Sequence, residues 1–188
     1  MVDGESGGRF QVRSVRLRSG ARIPVLCWGL LPVYEATFWT LANLLPKGNA
    51  YNTMTAKLRV VGHWLTFCER KGLAWVERVR SGRFLDPGEN AEVHQWMGIP
   101  IGPRGSPGGR LIRVAPHIHN SRLAFLRKYL CWEAERAIYR LEGQTHSLVE
   151  NRYEAWKRQW NTIEGARRQL PQCIGDNYTR ASGVAPNR

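Results

Sequence analysis

The sequence predicts a mainly α-helical protein, a bundle of four to five helices behind a small N-terminal β-hairpin. Apolar residues recur at helical spacing in several segments after residue 33. Strand-forming residues flank a Ser-Gly pair near the N-terminus, as in a hairpin. Apolar residues make up 43% of the 188 residues, so the chain can build a proper core.

The hairpin is predicted around a turn at Ser19-Gly20. No acidic residue lies between Glu5 and Glu35, whereas five arginines do. We interpret this segment as a basic arm that is either solvated or in contact with DNA. The strand formers are Val12, Val15, Leu17, Ile23, Val25 and Leu26, and the arginines are Arg9, Arg13, Arg16, Arg18 and Arg22.

Two helices are predicted next. The first has its core face at Phe38, Leu41 and Leu45 and ends at Pro46. The second begins with Asn52 or Thr53 as N-cap and ends at Gly72, just after two basic residues. Its buried stripe is predicted at Met54, Leu58, Val61 and Leu65.

The second half contains three more helical segments and one loop. A short segment follows Trp75, and Asp86 before Pro87 predicts a helix start. Residues 99–110 are too rich in Gly and Pro for regular structure. The helix from Asn120 has an apolar face at Leu123, Leu126, Leu130 and Ala134, and the last helix, ending at Pro171, has one at Leu148, Tyr153, Trp156, Trp160 and Ile163.

These segments divide the chain into three parts. Residues 1–32 form the basic arm and hairpin, and residues 33–142 form the helical domain. Residues 143–188 add a helix and a loose tail, which we interpret as an interdomain connection or a protomer contact.

The formal net charge of +13, with a pI near 10.4, indicates a polyanionic partner. The basic residues are spread along the chain and adjoin no hydrophobic anchor, so nucleic acid is favoured over a membrane surface. No apolar run approaches the roughly 20 residues of a membrane span, and no signal peptide is evident. We therefore expect a cytoplasmic protein without a membrane partner.

Catalytic and metal sites have few candidates. The four cysteines form no CxxC pair, which favours reduced, buried thiols. His117 and His119 match the His-x-His pair of metal-dependent DNA-nicking enzymes, but such a pair needs a central strand, and here a helix follows closely. His119 and Arg122 have the His-x-x-Arg spacing of DNA strand-transferring enzymes, without the accompanying motifs. We expect no cofactor and no resident metal.

DNA binding remains the best-supported chemistry. Two predicted helices begin with polar and basic residues, which can donate to phosphates and base edges. Helix capping explains the polar side chains equally well as DNA contact at four positions, which are Asn52, Thr53, Asn120 and Ser121. Most of the eight tryptophans lie in helical segments and are predicted to be core or half-buried, with a base-stacking platform for single strands as the alternative. The two helix entries contribute Asn52, Thr53, Thr55, Lys57 and Arg59, and His119, Asn120, Arg122, Arg127 and Lys128.

Four segments resemble the N-terminal core-binding domain, a SAM-like helical bundle, of tyrosine recombinases of the phage-integrase family. "NTMTAKLRVVGHWLTFCERKGL" and "HNSRLAFLRKYLCW" are similar to two of its helices. "VRLRSGARIPVL" is similar to the leader of many bacterial integrases, and "GRFLDPGENAEVHQWM" fits their middle segment. The resemblance spans residues 9–141.

The resemblance implies that the two helices contact duplex DNA through Asn52, Thr53, Lys57, Asn120, Arg122 and Arg127. Lys57 departs from the family, which often has an aromatic residue at its position. The arm arginines Arg13, Arg16 and Arg18 are further expected contacts. The family's catalytic residues belong to a second domain, so we expect this chain to bind DNA without cutting it, and to form homo-oligomers on DNA through its C-terminal helix. A stand-alone DNA-binding accessory or regulatory protein is the alternative.

Overall fold

The structure is a computed structural model that describes residues 10–101 and 113–169, with side chains in the last helix described as far as residue 162. Three strands come first: β1 (Phe10–Arg16), β2 (Arg22–Trp28) and β3 (Leu31–Pro32). Six α-helices follow in the described part, so the predicted class, a helical bundle behind a small β element, is confirmed. They are α1 (Tyr34–Trp39), α2 (Tyr51–Lys71), α3 (Trp75–Arg80), α4 (Pro87–Met97), α5 (Pro116–Ile138) and α6 (Gly143–Gln169).

The predicted hairpin is present and packs against α2, with a close approach at Gly62. β1 pairs with β2 in antiparallel register, with Val15 opposite Ile23, and the two-residue β3 adds a third strand that the sequence did not predict. A Cβ atom on Gly62 of α2 would lie 3.1 Å from Leu26 Cδ1 and 3.3 Å from Phe10 Cβ. The absence of a side chain therefore lets the sheet pack close against α2.

The predicted core face of the first helix is wrong. Phe38, Leu41 and Leu45 are 40%, 42% and 40% exposed, whereas Trp39 and Leu44 are buried. Trp39 packs edge-on against two rings of α5, and residues Thr40–Leu44 form a π-helical turn. Because that turn changes the helical period, spacing alone does not identify the inward face.

The α2 core stripe is confirmed, but its predicted N-cap is wrong. Met54, Leu58 and Val61 are buried, and Gly72 ends the helix in the left-handed conformation at φ 61°. The N-cap is Ala50, which makes no side-chain capping bond, so Asn52 and Thr53 lie inside the first turn.

The start of α5 also differs from the prediction, because the helix begins at Pro116 rather than at Asn120. Ala115 is the N-cap, so Asn120 and Ser121 do not cap the helix. Proline at the first helical position loses no intrahelical hydrogen bond, which suits this earlier start. The predicted core face of α5 is confirmed, with Leu123, Leu126, Leu130 and Ala134 buried.

The predicted start of α4 is confirmed. Asp86 accepts a hydrogen bond from the Glu89 backbone N–H at 2.8 Å, and the Glu89 side chain accepts one from the Asp86 N–H at 3.0 Å. Together they form a capping box, with Pro87 in the first turn. Glu89 also forms a bidentate pair with Arg78, which ties α4 to α3.

α6 covers one side of the bundle with aromatic side chains. Tyr153, Trp156 and Trp160 are buried as predicted, whereas Leu148 is 53% exposed and Val149 is buried in its place. The side chain of Ile163, together with Pro171, Cys173 and most of the predicted 99–110 loop, lies outside what the structure describes.

The core is rich in tryptophan, as predicted. Trp64, Trp75, Trp156 and Trp160 are buried, and the Trp75 ring lies 6.1 Å from Trp64 and 5.5 Å from Trp156. Within the described part no helix is long and apolar enough to cross a membrane. The described cysteines form no disulfide: Cys27 and Cys68 are buried, and Cys131 is partly buried.

Candidate nucleic-acid interface

An open groove of about 510 Å³ lies between α5 and the end of α1 with its π-helical turn. Two cationic side chains, one carboxylate and two tryptophans border it, together with an amide, a thiol and an alanine, so the groove can contact both charged and flat aromatic groups. We call it the basic groove. Its lining residues are Trp39, Asn43, Ala124, Arg127, Lys128, Cys131, Trp132 and Glu135.

Lys57 of α2 stands near the basic groove. Its Nζ donates to Asn49 Oδ1 at 2.8 Å and lies 5.5 Å from the centre of the Phe125 ring. Burial lowers the pKa of Lys57, and the charges of Lys128 and Lys47 lower it further. The charges of Lys128 and Lys47 thus both act on Lys57, and an anion placed beside Lys57 would relieve that repulsion.

The structure thus brings together three residues that the sequence named separately: Lys57 from α2, and Arg127 and Lys128 from α5. Of the other α2 candidates, Asn52, Thr53 and Arg59 are exposed. They are therefore free to reach a phosphate on the outside of the helix. The Thr55 hydroxyl is different: it is shielded from solvent and has no hydrogen-bond partner among the described residues, so it does not face an external ligand.

His119 and Arg122 are engaged inside the protein. His119 Nε2 lies 2.7 Å from the carbonyl oxygen of His94. Arg122 Nη1 donates to the carbonyl oxygens of Met97 and Ile99 at 3.0 and 2.7 Å. Partial burial lowers the pKa of Arg122. Both residues therefore join the start of α5 to the end of α4, while their neighbour Asn120 is exposed.

The arm arginines Arg13, Arg16 and Arg18 are exposed. Arg16 lies directly opposite Arg22 in the hairpin, so two positive charges face each other across the strands. Side chains alternate between the two faces of a sheet, so Arg13 and Arg16 point to opposite faces. The hairpin therefore adds a second basic surface, centred on Arg16, Arg18 and Arg22.

The His-x-His pair lacks the geometry for shared metal binding. His117 and His119 lie in the first turn of α5, where residues two apart project about 200° apart around the axis. His117 is exposed, whereas His119 contacts a backbone carbonyl. Among the described residues no three His, Cys, Asp or Glu side chains are grouped as a metal site. The helix thus contradicts the nicking-enzyme arrangement.

Three residues of this surface were not among the sequence candidates: Asn43, Lys47 and Trp132. Asn43 faces the basic groove from the π-helical turn, which no sequence pattern indicated. Lys47 lies in the Pro-Lys-Gly-Asn connection, where a lone lysine gives no signal of its own. Trp132 is one of the helical tryptophans predicted to be core or half-buried; it is partly exposed and borders the groove, a place that its sequence position does not indicate.

The comparisons with known proteins add no relative. No family model matches the chain, and no curated protein or solved structure matches it. The functional argument therefore depends on the geometry and charge of the chain itself.

Proposed function

We propose that this chain binds duplex DNA through the surface around the basic groove, as the core-binding part of a tyrosine recombinase. The single observation that carries the proposal is that Arg127 and Lys128 line the basic groove, while the charges of Lys128 and Lys47 both act on Lys57. The protein keeps mutually repelling cations close together on its surface, although its net charge is already +13. A polyanion offsets that repulsion and releases counterions on binding.

α2 offers further donors: Thr53 projects within about 40° of Lys57 around the helix axis, whereas Asn52 and Arg59 project about 140° and 160° from Lys57 and form a separate face. Asn52, Thr53 and Arg59 are exposed there and supply neutral and charged donors to phosphate oxygens. An arm of exposed arginines offers a further contact from the hairpin. Contacts from several separate elements suit a long, regular ligand such as duplex DNA better than a small anion.

The recombinase part of the proposal rests on the resemblance of four segments to core-binding domains, and on the helical bundle that the chain forms. In this proposal the chain holds the recombination site and leaves strand cleavage to another domain. α6, with its 53% exposed Leu148, is the proposed contact to a neighbouring protomer or to that domain. Reading the coding frame past Arg188 tests this part: a following segment with catalytic arginines and a tyrosine supports it, and an immediate stop codon contradicts it.

The DNA-binding part is tested by fluorescence anisotropy of a labelled blunt duplex at several salt concentrations. We expect Lys57→Ala, Arg127→Ala and Lys128→Ala each to weaken binding several-fold and to lower the salt slope by about one. Lys71→Ala is the matched control, because it also removes one positive charge but from an exposed pair with Glu92. Groove variants that bind no worse than Lys71→Ala would contradict the proposal.

A further inference from the structure

A row of aromatic side chains lies on the surface beside the basic groove. Tyr34 and Phe38 of α1 have nearly parallel rings, with centroids 6.2 Å apart and planes at 7°. The Phe38 ring lies 5.9 Å from that of Trp132 on α5. Tyr34 is 65% exposed and Phe38 is 40% exposed, so the start of this row is open to solvent. We call Tyr34, Phe38 and Trp132 the aromatic row.

A guanidinium group lies over the aromatic row. Arg136 Cζ is 4.6 Å from the centre of the Phe38 ring and 4.7 Å from that of Trp132. Trp132 also borders the basic groove together with Arg127 and Lys128. The open rings are thus continuous with a positively charged surface, in which cations and flat rings alternate.

This combination selects the chemistry of the ligand. Exposed rings attract flat apolar groups, and the neighbouring cations attract negative charge. An apolar protein helix laid on the aromatic row would remove the Arg136 guanidinium from water, which is costly even with Glu35 and Glu133 in the same small pocket. Nucleic acid with unpaired bases supplies both groups, because its bases stack on aromatic rings while its phosphates meet the cations.

We propose that the aromatic row binds unpaired bases of single-stranded DNA next to the duplex held at the basic groove. The inference rests on the proposed function, since the groove would deliver the DNA, and it adds a strand-separated segment to the ligand. Bases of an intact duplex are stacked on one another and cannot reach the rings. Tyr34 and Phe38 stack on the bases, and Arg136 lies where it can contact the strand's phosphates.

The test compares three labelled ligands: a single strand, a blunt duplex, and the same duplex with a single-stranded overhang. We expect Tyr34→Ala to weaken binding of the single strand and the overhang by roughly 5- to 100-fold, the range for loss of one stacked base, and to leave the blunt duplex unchanged. Tyr34→Phe should retain binding because it keeps the ring. Tyr139→Ala is the matched control, since Tyr139 is 87% exposed elsewhere.

The outcomes separate the two proposals. If Tyr34→Ala and Phe38→Ala leave single-strand and overhang binding unchanged while Arg127→Ala still weakens duplex binding, the aromatic row proposal is overturned and the proposed function stands. If the wild-type chain binds no blunt duplex, the proposed function fails, whereas loss of single-strand binding in Tyr34→Ala still supports the aromatic row. Sedimentation tests whether a second copy of the chain binds the aromatic row instead. If the wild type is a dimer and Tyr34→Ala is a monomer, the aromatic row is a protein contact and the inference is overturned.

Discussion

Arg122 on α5 donates from Nη1 to the carbonyl oxygen of Ile99, 2.7 Å away, just beyond the end of α4. The same nitrogen donates to the carbonyl oxygen of Met97, the last residue of α4. A cation at the C-terminal end of a helix satisfies carbonyls that have no intrahelical partner and complements the helix dipole. Arg122 therefore holds two helices together across the 102–112 segment.

Arg122→Ala is expected to lower the free energy of unfolding by about 1.5–3 kcal/mol, the usual contribution of a hydrogen bond from a charged group. Arg122→Lys should recover part of that loss, because lysine keeps the charge but not the guanidinium geometry. Urea denaturation measures both. With the variants fully folded, Arg122→Ala should weaken duplex binding less than Arg127→Ala; an unchanged stability with an equal loss of binding would place Arg122 at the DNA instead.

Much of the fold could be predicted because most buried faces follow the helical period. Leu123, Leu126 and Leu130 are buried as their spacing predicts, and Gly72 ends α2 as its position predicts. The first helix is present, but its buried face could not be identified from spacing, because the exposed residues Phe38, Leu41 and Leu45 have the same spacing as a core face. Periodicity identifies an apolar stripe, but packing partners elsewhere in the chain decide whether that stripe is covered.

The candidate site could be predicted in part for a similar reason. Charge and position at a helix entry identified Arg127 and Lys128, which line the groove, and Lys57, which interacts electrostatically with Lys128. They could not show that Arg122 bonds to carbonyls 23 and 25 residues away. Such contacts depend on how α4 and α5 are placed by the whole fold, and no local pattern encodes that placement.

The capping box at the start of α4 makes a prediction about Asp86. Asp86→Ala removes the side-chain acceptor of the Glu89 N–H and should lower the free energy of unfolding by about 1 kcal/mol. Asp86→Asn keeps an acceptor that caps equally well in general, so its stability should stay close to wild type. Urea midpoints of the two variants measure the difference, and equal losses in both would show that the carboxylate charge, rather than the cap, stabilises this end.

The close approach of the hairpin to α2 makes a prediction about Gly62. Gly62→Val places branched methyl groups where a Cβ alone would already lie 3.1 Å from Leu26 Cδ1. We expect a loss of about 1–3 kcal/mol in the free energy of unfolding, the usual cost of overpacking. Ala56→Val, at an exposed position of the same helix, is the control and should cost under about 0.7 kcal/mol. Equal losses in both variants would mean that the sheet moves away at little cost.

Glu133 is a buried carboxyl group within the helical core. It accepts a hydrogen bond from the Tyr129 hydroxyl at 2.8 Å and shares a small pocket with Glu35, Arg80, Arg136 and Arg140. The pKa of Glu133 is raised to about 8, chiefly by burial and also by the charge of Glu35, while the Tyr129 hydrogen bond and Arg136 act in the opposite direction. The folded protein therefore binds a proton that the unfolded chain releases near its ordinary pKa of 4.5.

Because the folded state binds the extra proton, the contribution of Glu133 to the free energy of unfolding is complete below pH 4.5 and is lost as the pH rises to about 8. Glu133→Gln is neutral throughout and still accepts the Tyr129 hydrogen bond. Its stability relative to wild type should therefore increase from pH 4.5 to about 8 and then level off, as measured by urea midpoints across that range. A stability difference between Glu133→Gln and wild type that is constant with pH would mean that Glu133 titrates alike in the folded and unfolded states.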